Sequence, residues 1–505
     1  MAKVKRNFLT NVVLNISIFR IVYICTLFLC SFCYTDFFAT ILKYALMPWG
    51  FILMYFYYIR PRRILDVMYA RWLAGFLGVS LLTMIIHIAD NFILNFALFC
   101  HVIICFFLLY GMHTERNKKR KYKELCIIAS IIVFATTAAV AVSFAILPFG
   151  QMKFSFLNSN YNLIIYENRF TGIFTNPNLL GFYCVVAVFF AHLLSKDNLY
   201  KQCGVSFRLP KWFLAVSAAL NVIAMFLSDS NGSLLLIACY SVGIIIYRLL
   251  GGVPQISLKG LMFRVSAIVL AGVIVVVGLI GLRFCSNKAA AFVLNPNTAI
   301  ITDDKQSNHK TQPPDSTGNV NIITFAHEND NLDSGRLPML QKAVAIFYNN
   351  PLLGVGKENI VLYADRLLEK GLKYSDLHNG YLTILVSNGL IGFVLFIGFA
   401  VALGRHCIKS LFLEKKNLKK SPFPCLFAFI FAYCIYSVIE KTLLLEQSYM
   451  VVIFWYVLGY ASCYMKRYDH IDDKFDVKSL FVRKKTDNNI DIIDIPTEED
   501  QGDIA

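Results

Sequence analysis

His378-Asn-Gly-Tyr381-Leu-Thr-Ile-Leu-Val-Ser-Asn388-Gly389-Leu-Ile-Gly392-Phe-Val-Leu-Phe-Ile-Gly-Phe-Ala-Val-Ala-Leu403 is the stretch that decides the architecture. From Tyr381 onward it offers the roughly 20 apolar residues that cross a hydrocarbon core about 30 Å thick. The segment before it, from Ser334-Gly-Arg336 through Asn350-Pro351 and Gly354-Val-Gly356, is mixed and water-compatible. A histidine therefore stands where a soluble loop meets a membrane helix, with arginines in the same loop. Polar chemistry at such a boundary marks a candidate active site.

The same apolar density recurs along the chain. Of 505 residues, 57% are hydrophobic and 14% aromatic, against about 45–50% apolar residues in soluble domains. Spans are predicted at about 13–34, 39–59, 66–88, 92–111, 125–147, 172–194, 212–228, 233–250, 264–282, 379–403, 421–439 and 448–465. That pattern defines an all-α polytopic membrane protein of about 12 transmembrane helices, with both termini on one side. The first run lacks a small-residue cleavage site and reads as a retained first helix.

Basic residues then fix the orientation. Lys3, Lys5 and Arg6, then Arg60, Arg62 and Arg63, then the run Arg116–Lys123 all fall on one side of this count. So do Lys196 to Lys211, Lys259 with Arg264, and the cluster from Arg405 to Lys420. By the positive-inside rule that side is cytoplasmic. The opposite connections carry few bases, chiefly Lys43, Lys153, Arg169 and Lys441. The net charge of +16 thus records membrane orientation, and nucleic acid drops out as a partner. The fourteen cysteines lie mostly inside apolar runs, where packing is their default role. Cys30-Ser-Phe-Cys33 has no second pair at metal spacing, so no metal site is expected.

The predicted organisation is nine spans within 1–282, an extracytoplasmic loop over 283–378, three spans within 379–465, and a disordered cytoplasmic tail over 466–505. The loop's first part, 285–333, is rich in Asn, Asp, Thr and Pro and reads as flexible. Leu340, Ala343, Val344 and Phe347 then recur at helical spacing until Asn349-Asn350-Pro351 stops them. A second amphipathic helix is predicted over 359–370, closed by Gly371.

His378 is the first candidate for chemistry. With Ser375 or Asp376 as cap it would sit in the first turn of the tenth span. The positive end of the helix disfavours imidazolium there, which leaves a neutral ring able to accept a proton. A histidine at the interface with no task is the plain alternative. Arg336 and Arg169 come next, because a guanidinium offers a fixed fork of donors to phosphate oxygens. Their plain readings are a solvated loop charge and an interfacial anchor. Arg366 competes with them, as do Lys342, Lys370 and Lys373 as point charges. Asn176-Pro-Asn178 places amides at membrane depth, which is tolerated where protein or a watery cavity satisfies them. Ser228-Asp-Ser-Asn-Gly-Ser233 reads as an ordinary tight turn. Glu440 and Glu446 flank the turn between the last two spans, where a carboxylate could order an arginine or contact a sugar.

Together, Arg169-Phe-Thr-Gly172 with Asn176-Pro-Asn178, the Ser228–Ser230 turn, Ser334-Gly-Arg336, Pro351-Leu-Leu-Gly354-Val-Gly356 and His378-Asn-Gly-Tyr381 with Gly389-Leu-Ile-Gly392 resemble the O-antigen ligase and O-antigen polymerase superfamily. The resemblance covers about 165–400. It implies a GT-C-like membrane glycosyltransferase of the bacterial cell envelope, acting without metal or other cofactor. The donor it implies is an undecaprenyl-diphosphate-linked oligosaccharide, transferred with inversion to a glycan or other acceptor outside the cytoplasm. It also implies that His378 activates the acceptor hydroxyl, that Arg336 holds the diphosphate, and that Arg169, Asn176, Asn178 and Tyr381 join the substrate site. Membrane lipid and a chain-length regulator are the further partners it admits. One departure stands out: many relatives carry an arginine just after the Ser-x-Ser turn, where this chain has Asn231. The alternative from another class is a lipid-linked-glycan flippase or transporter without covalent chemistry. A transporter would be expected to put polar residues near the midplane and often shows internal repeats; no repeat is visible.

Overall fold

The computed structural model describes residues 12–115, 117–156, 159–196, 199, 208–250, 258–294, 336–368, 372, 377–413 and 422–465. In chain order the helices are α1 (Ile16–Leu29), α2 (Asp36–Met54), α3 (Ala70–Ile86), α4 (Phe92–Ile103) and α5 (Lys118–Ile146). A small sheet follows, with strands β1 (Met152–Phe156), β2 (Ser159–Tyr166) and β3 (Arg169–Gly172). Then come α6 (Pro177–Leu194), α7 (Lys211–Leu227), α8 (Asn231–Leu250) and α9 (Leu258–Leu294). The C-terminal part has α10 (Arg336–Asn349), α11 (Ile360–Leu367), α12 (Gly380–Leu413), α13 (Phe423–Tyr436) and α14 (Tyr449–Met465).

Seven helical stretches are long and apolar enough to cross a membrane, and α1, α3, α7, α13 and α14 are shorter apolar helices. These helices lie at the positions read from hydropathy. The chain is an all-α polytopic membrane protein. The twelfth of these helices, α14, is buried along nearly its whole length, with Trp455 and Tyr456 at 0% exposure. A helix apolar on every side belongs in the middle of a bundle. By contrast, α9 lies at the edge. It packs chiefly on α7 and α8, and the apolar window of its span holds no buried residue. It also continues to Leu294, beyond the expected end of the ninth span.

Two features depart from a plain run of helices. The connection after α5, between the fifth and sixth predicted spans, is a three-stranded antiparallel sheet in the order β1-β2-β3. Glu167 and Asn168 both have positive φ, at 50° and 54°. That is the geometry of the two-residue type I′ turn, whose twist suits a hairpin. It pairs Tyr166 with Arg169 and sets the arginine at the head of β3, whose four residues are all buried.

The second departure is in α12. The stretch read as one uninterrupted span is broken at Gly389, where φ is 62° and ψ is −172°. The Pro351–Gly356 loop fills the break. Leu390 N donates to the Pro351 carbonyl at 2.8 Å and Ile391 N to that of Leu352 at 3.2 Å. In return Val355 N and Gly356 N donate to the carbonyls of Val386 and Ser387, at 3.1 and 2.9 Å. A Cβ on Gly389 would come within 2.3 Å of the Leu352 carbonyl, and one on Gly354 within 2.5 Å of the Ser387 carbonyl. Both glycines are therefore required by close backbone approach as well as by φ. The piece beyond Gly389 is itself longer than the about 20 residues a span needs.

Both expected loop helices form. They pack on the first piece of α12 through a satellite core that includes Ala343, Ile346, Val355, Ile360, Leu377 and Val386. Gly371 lies outside the described residues, as do most of 285–333 and the tail beyond Met465. At the bundle end remote from His378, Arg20 is fully buried in α1. It donates to the Leu108 carbonyl at 2.5 Å, pairs with Glu124 at 3.3 Å and also meets Glu115.

Candidate active site

Arg169 is 6% exposed. Its Nε donates to the Ser228 carbonyl at 2.9 Å and its Nη2 to Asn178 Oδ1 at 2.5 Å. Asn178 is in turn fixed by the start of α6. Asn176 caps that helix, its Oδ1 accepting from Asn178 N at 2.7 Å, and Pro177 occupies the first helical position. The Asn-Pro-Asn motif thus builds a helix start that aims one amide at the arginine.

The Ser228–Ser233 turn is more than an ordinary turn. Ser228, Asp229, Ser230 and Ser233 are all buried, and Asp229 has a φ of 50°. Helix α6 comes so close here that a Cβ on Gly181 would lie 2.5 Å from Ser233 Oγ and 2.8 Å from Ser228 Oγ. Into this turn α9 sends Arg283. Its Nε donates to Asp229 Oδ1 at 2.7 Å, its Nη1 to Asn231 Oδ1 at 2.7 Å, and its Nη2 also pairs with the Asp229 carboxylate. Arg283 thus pairs with the Asp229 carboxylate, while Arg169 bonds to the neighbouring Ser228 carbonyl and feels the same charge. Burial pulls the pKa of Arg169 below the ordinary arginine value, while the charges of Asp229, Glu167 and Glu440 push the other way.

His378 lies at the same end of the bundle. It does not occupy the first turn of α12 but sits two residues before Gly380, with φ at 44°. Ser375 and Asp376, the expected caps, are outside the described residues. Asn379 is the residue seen capping, its Oδ1 accepting from Leu382 N at 2.9 Å. Gly380 N donates to the carbonyls of Ser437 and Glu440, at 2.8 and 3.0 Å, which ties this start to the end of α13. The imidazole Nδ1 then faces Glu440 Oε2 at 3.6 Å, with the histidine side chain 32% exposed.

The end of α13 also packs on α6 and on the 228–233 turn. Tyr436 stacks on Phe182 of α6 at 5.8 Å, and a Cβ on Gly232 would come within 2.8 Å of the Tyr436 ring. Glu440 thus faces His378, and its charge is the smallest of the influences on Arg169.

The remaining candidates are distributed differently. Arg336 opens α10, and its side chain lies outside the described residues. Tyr381 donates its hydroxyl to the Cys434 carbonyl at 3.0 Å, which makes it a brace between α12 and α13. Arg366 pairs with Asp90 at 3.0 Å and lies over the Tyr363 ring, pinning α11 to the turn between α3 and α4. Glu446 pairs with Lys441 at 3.2 Å. Sequence reasoning passes over Arg283. Its signal is present all the same: it is the first base after the ninth apolar run, on the side where bases are scarce.

The fold and this cluster define a polytopic membrane protein with a site of clustered charged and polar residues at one end of its helices. Residues 216–397, from α7 into α12, match a family model described as O-antigen ligase, which supports the O-antigen ligase superfamily for this chain. The match covers just over a third of the sequence and includes Arg283, Arg336 and His378. No curated protein matches the chain. The match supports an O-antigen-ligase-like, membrane-glycan-processing function, and the family implies lipid-linked oligosaccharide and glycan acceptor as substrate classes.

Proposed function

We propose that the protein is a glycosyltransferase that moves an oligosaccharide from a polyprenyl-diphosphate carrier to a hydroxyl acceptor, as a polymerase or ligase. The reaction would take place on the face of the membrane opposite the basic clusters. The observation that carries this reading is the gathering of Arg169, Arg283 and the His378–Glu440 pair at one bundle end, bridged by the 436–440 turn.

In the step we envisage, the acceptor oxygen attacks the anomeric carbon as the bond to the diphosphate oxygen breaks. The acceptor proton passes to the His378 ring nitrogen that does not face Glu440. Glu440 favours the imidazolium that forms, as a carboxylate behind a catalytic histidine does. The departing diphosphate gains negative charge, and guanidiniums held by hydrogen bonds are suited to meet it because they are fixed before the reaction starts. Attack from the face opposite the leaving group inverts the configuration. Arg336 belongs to the same phosphate-holding set in this reading.

The test is conversion of a lipid-diphosphate oligosaccharide by purified protein in detergent, with donor binding measured alongside. His378→Gln keeps size and hydrogen bonding but cannot take a proton at neutral pH. It should lower turnover by about 10²–10⁴-fold and leave donor binding nearly intact. Normal turnover in this variant would remove the histidine from the chemistry.

A further inference from the structure

A groove far from this site lies between α3 and α12. The two helices run antiparallel, with Gly75 against Leu395 and Gly398 beneath Trp72. A Cβ on Gly398 would come within 2.3 Å of the indole, so the glycine makes a notch into which Trp72 sinks. The result is a groove of about 500 Å³ floored by Phe393 and Ile397 and rimmed by Val394 and Val401, with Arg405 at one end. The rim is exposed: Val394 is 53% and Val401 56% accessible.

Its ends differ in chemistry. Because the helices are antiparallel and Trp72 sits near the start of α3, Arg405 lies past that start, at the bundle end that carries the basic clusters. Arg71, the neighbour of Trp72, is exposed there too. Among the described residues Arg405 makes no ion pair or hydrogen bond, and it is exposed. From Phe393 to Arg405 the helix rises about 18 Å, close to the roughly 15 Å thickness of one leaflet's hydrocarbon. An apolar trough as long as a leaflet, closed at the basic end by an unpaired guanidinium, has the form of an acyl chain with its phosphate.

We infer that this groove binds an anionic phospholipid of the leaflet on the basic side. One acyl chain would lie along Phe393–Val401 beside Trp72, and the phosphate would accept from Arg405. A guanidinium favours a phosphate through paired, charge-assisted hydrogen bonds, and a second cation nearby favours a lipid of net negative charge over a zwitterionic one. The inference needs the chain only to span a membrane, and it stands whether or not the glycosyl transfer proposed above is correct.

The experiment is native mass spectrometry of the full-length purified protein titrated with phosphatidylglycerol or with phosphatidylcholine of the same acyl chains. Wild type should retain phosphatidylglycerol at least fivefold better. Arg405→Gln should lose that preference while still binding both lipids weakly, and Val401→Trp, which fills the trough, should reduce binding of both. Thermal unfolding in detergent would check that the variants fold; both positions are exposed and should tolerate the change. Equal retention of the two lipids by wild type, or a preference unchanged in Arg405→Gln, would overturn the assignment. Unchanged binding in Val401→Trp would place the lipid elsewhere on the bundle and equally overturn it.

Discussion

Two arginines from distant parts of the sequence meet at the 228–231 turn, Arg283 on the Asp229 carboxylate and Arg169 on the Ser228 carbonyl, and that meeting makes the residue-scale predictions specific. Arg283 hydrogen bonds to Asn231, the position where many relatives of the resembled superfamily carry an arginine. A guanidinium therefore reaches the same turn from α9 instead of from α8. Arg283→Ala should weaken use of the lipid-diphosphate donor by about 10-fold or more, the scale of one charge-assisted contact. Asn231→Arg in that background should restore part of it, whereas in wild type it should crowd Arg283 and gain nothing. A kinetic split that shows the loss in donor KM, with rescue in the double variant, is the expected outcome; no loss in Arg283→Ala would reduce the arginine to a structural clamp. Glu440→Gln keeps the carbonyl that holds Gly380 but removes the charge behind His378. It should cost part of the about 10²–10⁴-fold that a positioned base contributes, in kcat more than KM. His378 itself was legible in the sequence from its boundary position. The location of its cap was not, because Asn379 and the two possible caps before it are all competent at a helix start, and only the contact with α13 selects among them.

At the scale of elements, the break in α12 is the testable feature. Gly389 sits in a backbone region open to almost no other residue, which costs on the order of 1–3 kcal/mol when a side chain is forced there. The collision with Leu352 adds to that. Gly389→Ala should therefore lower the melting temperature in detergent markedly, and Gly354→Ala should do the same. Gly278→Ala is the control. A methyl group added there, on the edge helix α9, would meet nothing within 4 Å, and alanine is favoured over glycine inside a helix by roughly 0.5–1 kcal/mol. Hydropathy made the twelve apolar helices legible, since each is a long run. It could not reveal the sheet, because the bulge between Ile164 and Ile165 breaks the alternation that marks a strand. Nor could it reveal the split in α12, since glycine within an apolar run is common in membrane helices. The docked loop was written in the sequence as Pro351–Gly356, yet nothing local says that it pairs with Gly389.

For the molecule as a whole, orientation rests on charge outside the bundle and cohesion on charge within it. An impermeant thiol reagent applied to intact cells, after wall access is checked, should label Asp365→Cys on α11 and not Lys119→Cys at the start of α5, both exposed positions. The reverse pattern would invert the topology and the proposed site with it. At the basic end, Arg20→Met would strand the buried Glu124 carboxylate, and losing one partner of such a pair costs about 3–5 kcal/mol. Arg20→Met with Glu124→Leu should recover most of the folded, monodisperse yield on size exclusion, because Glu115 retains 12% exposure and can be hydrated. This network was invisible in the sequence, since Arg20 is one charge in an apolar run and its partners lie 95 and 104 residues away. The four backbone bonds between the Pro351 loop and α12 also tie the settling of that helix to the loop. The loop is synthesised before the helix it repairs, so it can already be waiting outside when Leu390 and Ile391 emerge from the insertion machinery. An unpaired amide at membrane depth costs several kcal/mol, so the break in α12 and the loop that fills it stabilise each other. Deleting Pro351–Gly356 should therefore leave that seam open and lower the melting temperature in detergent as much as Gly389→Ala does.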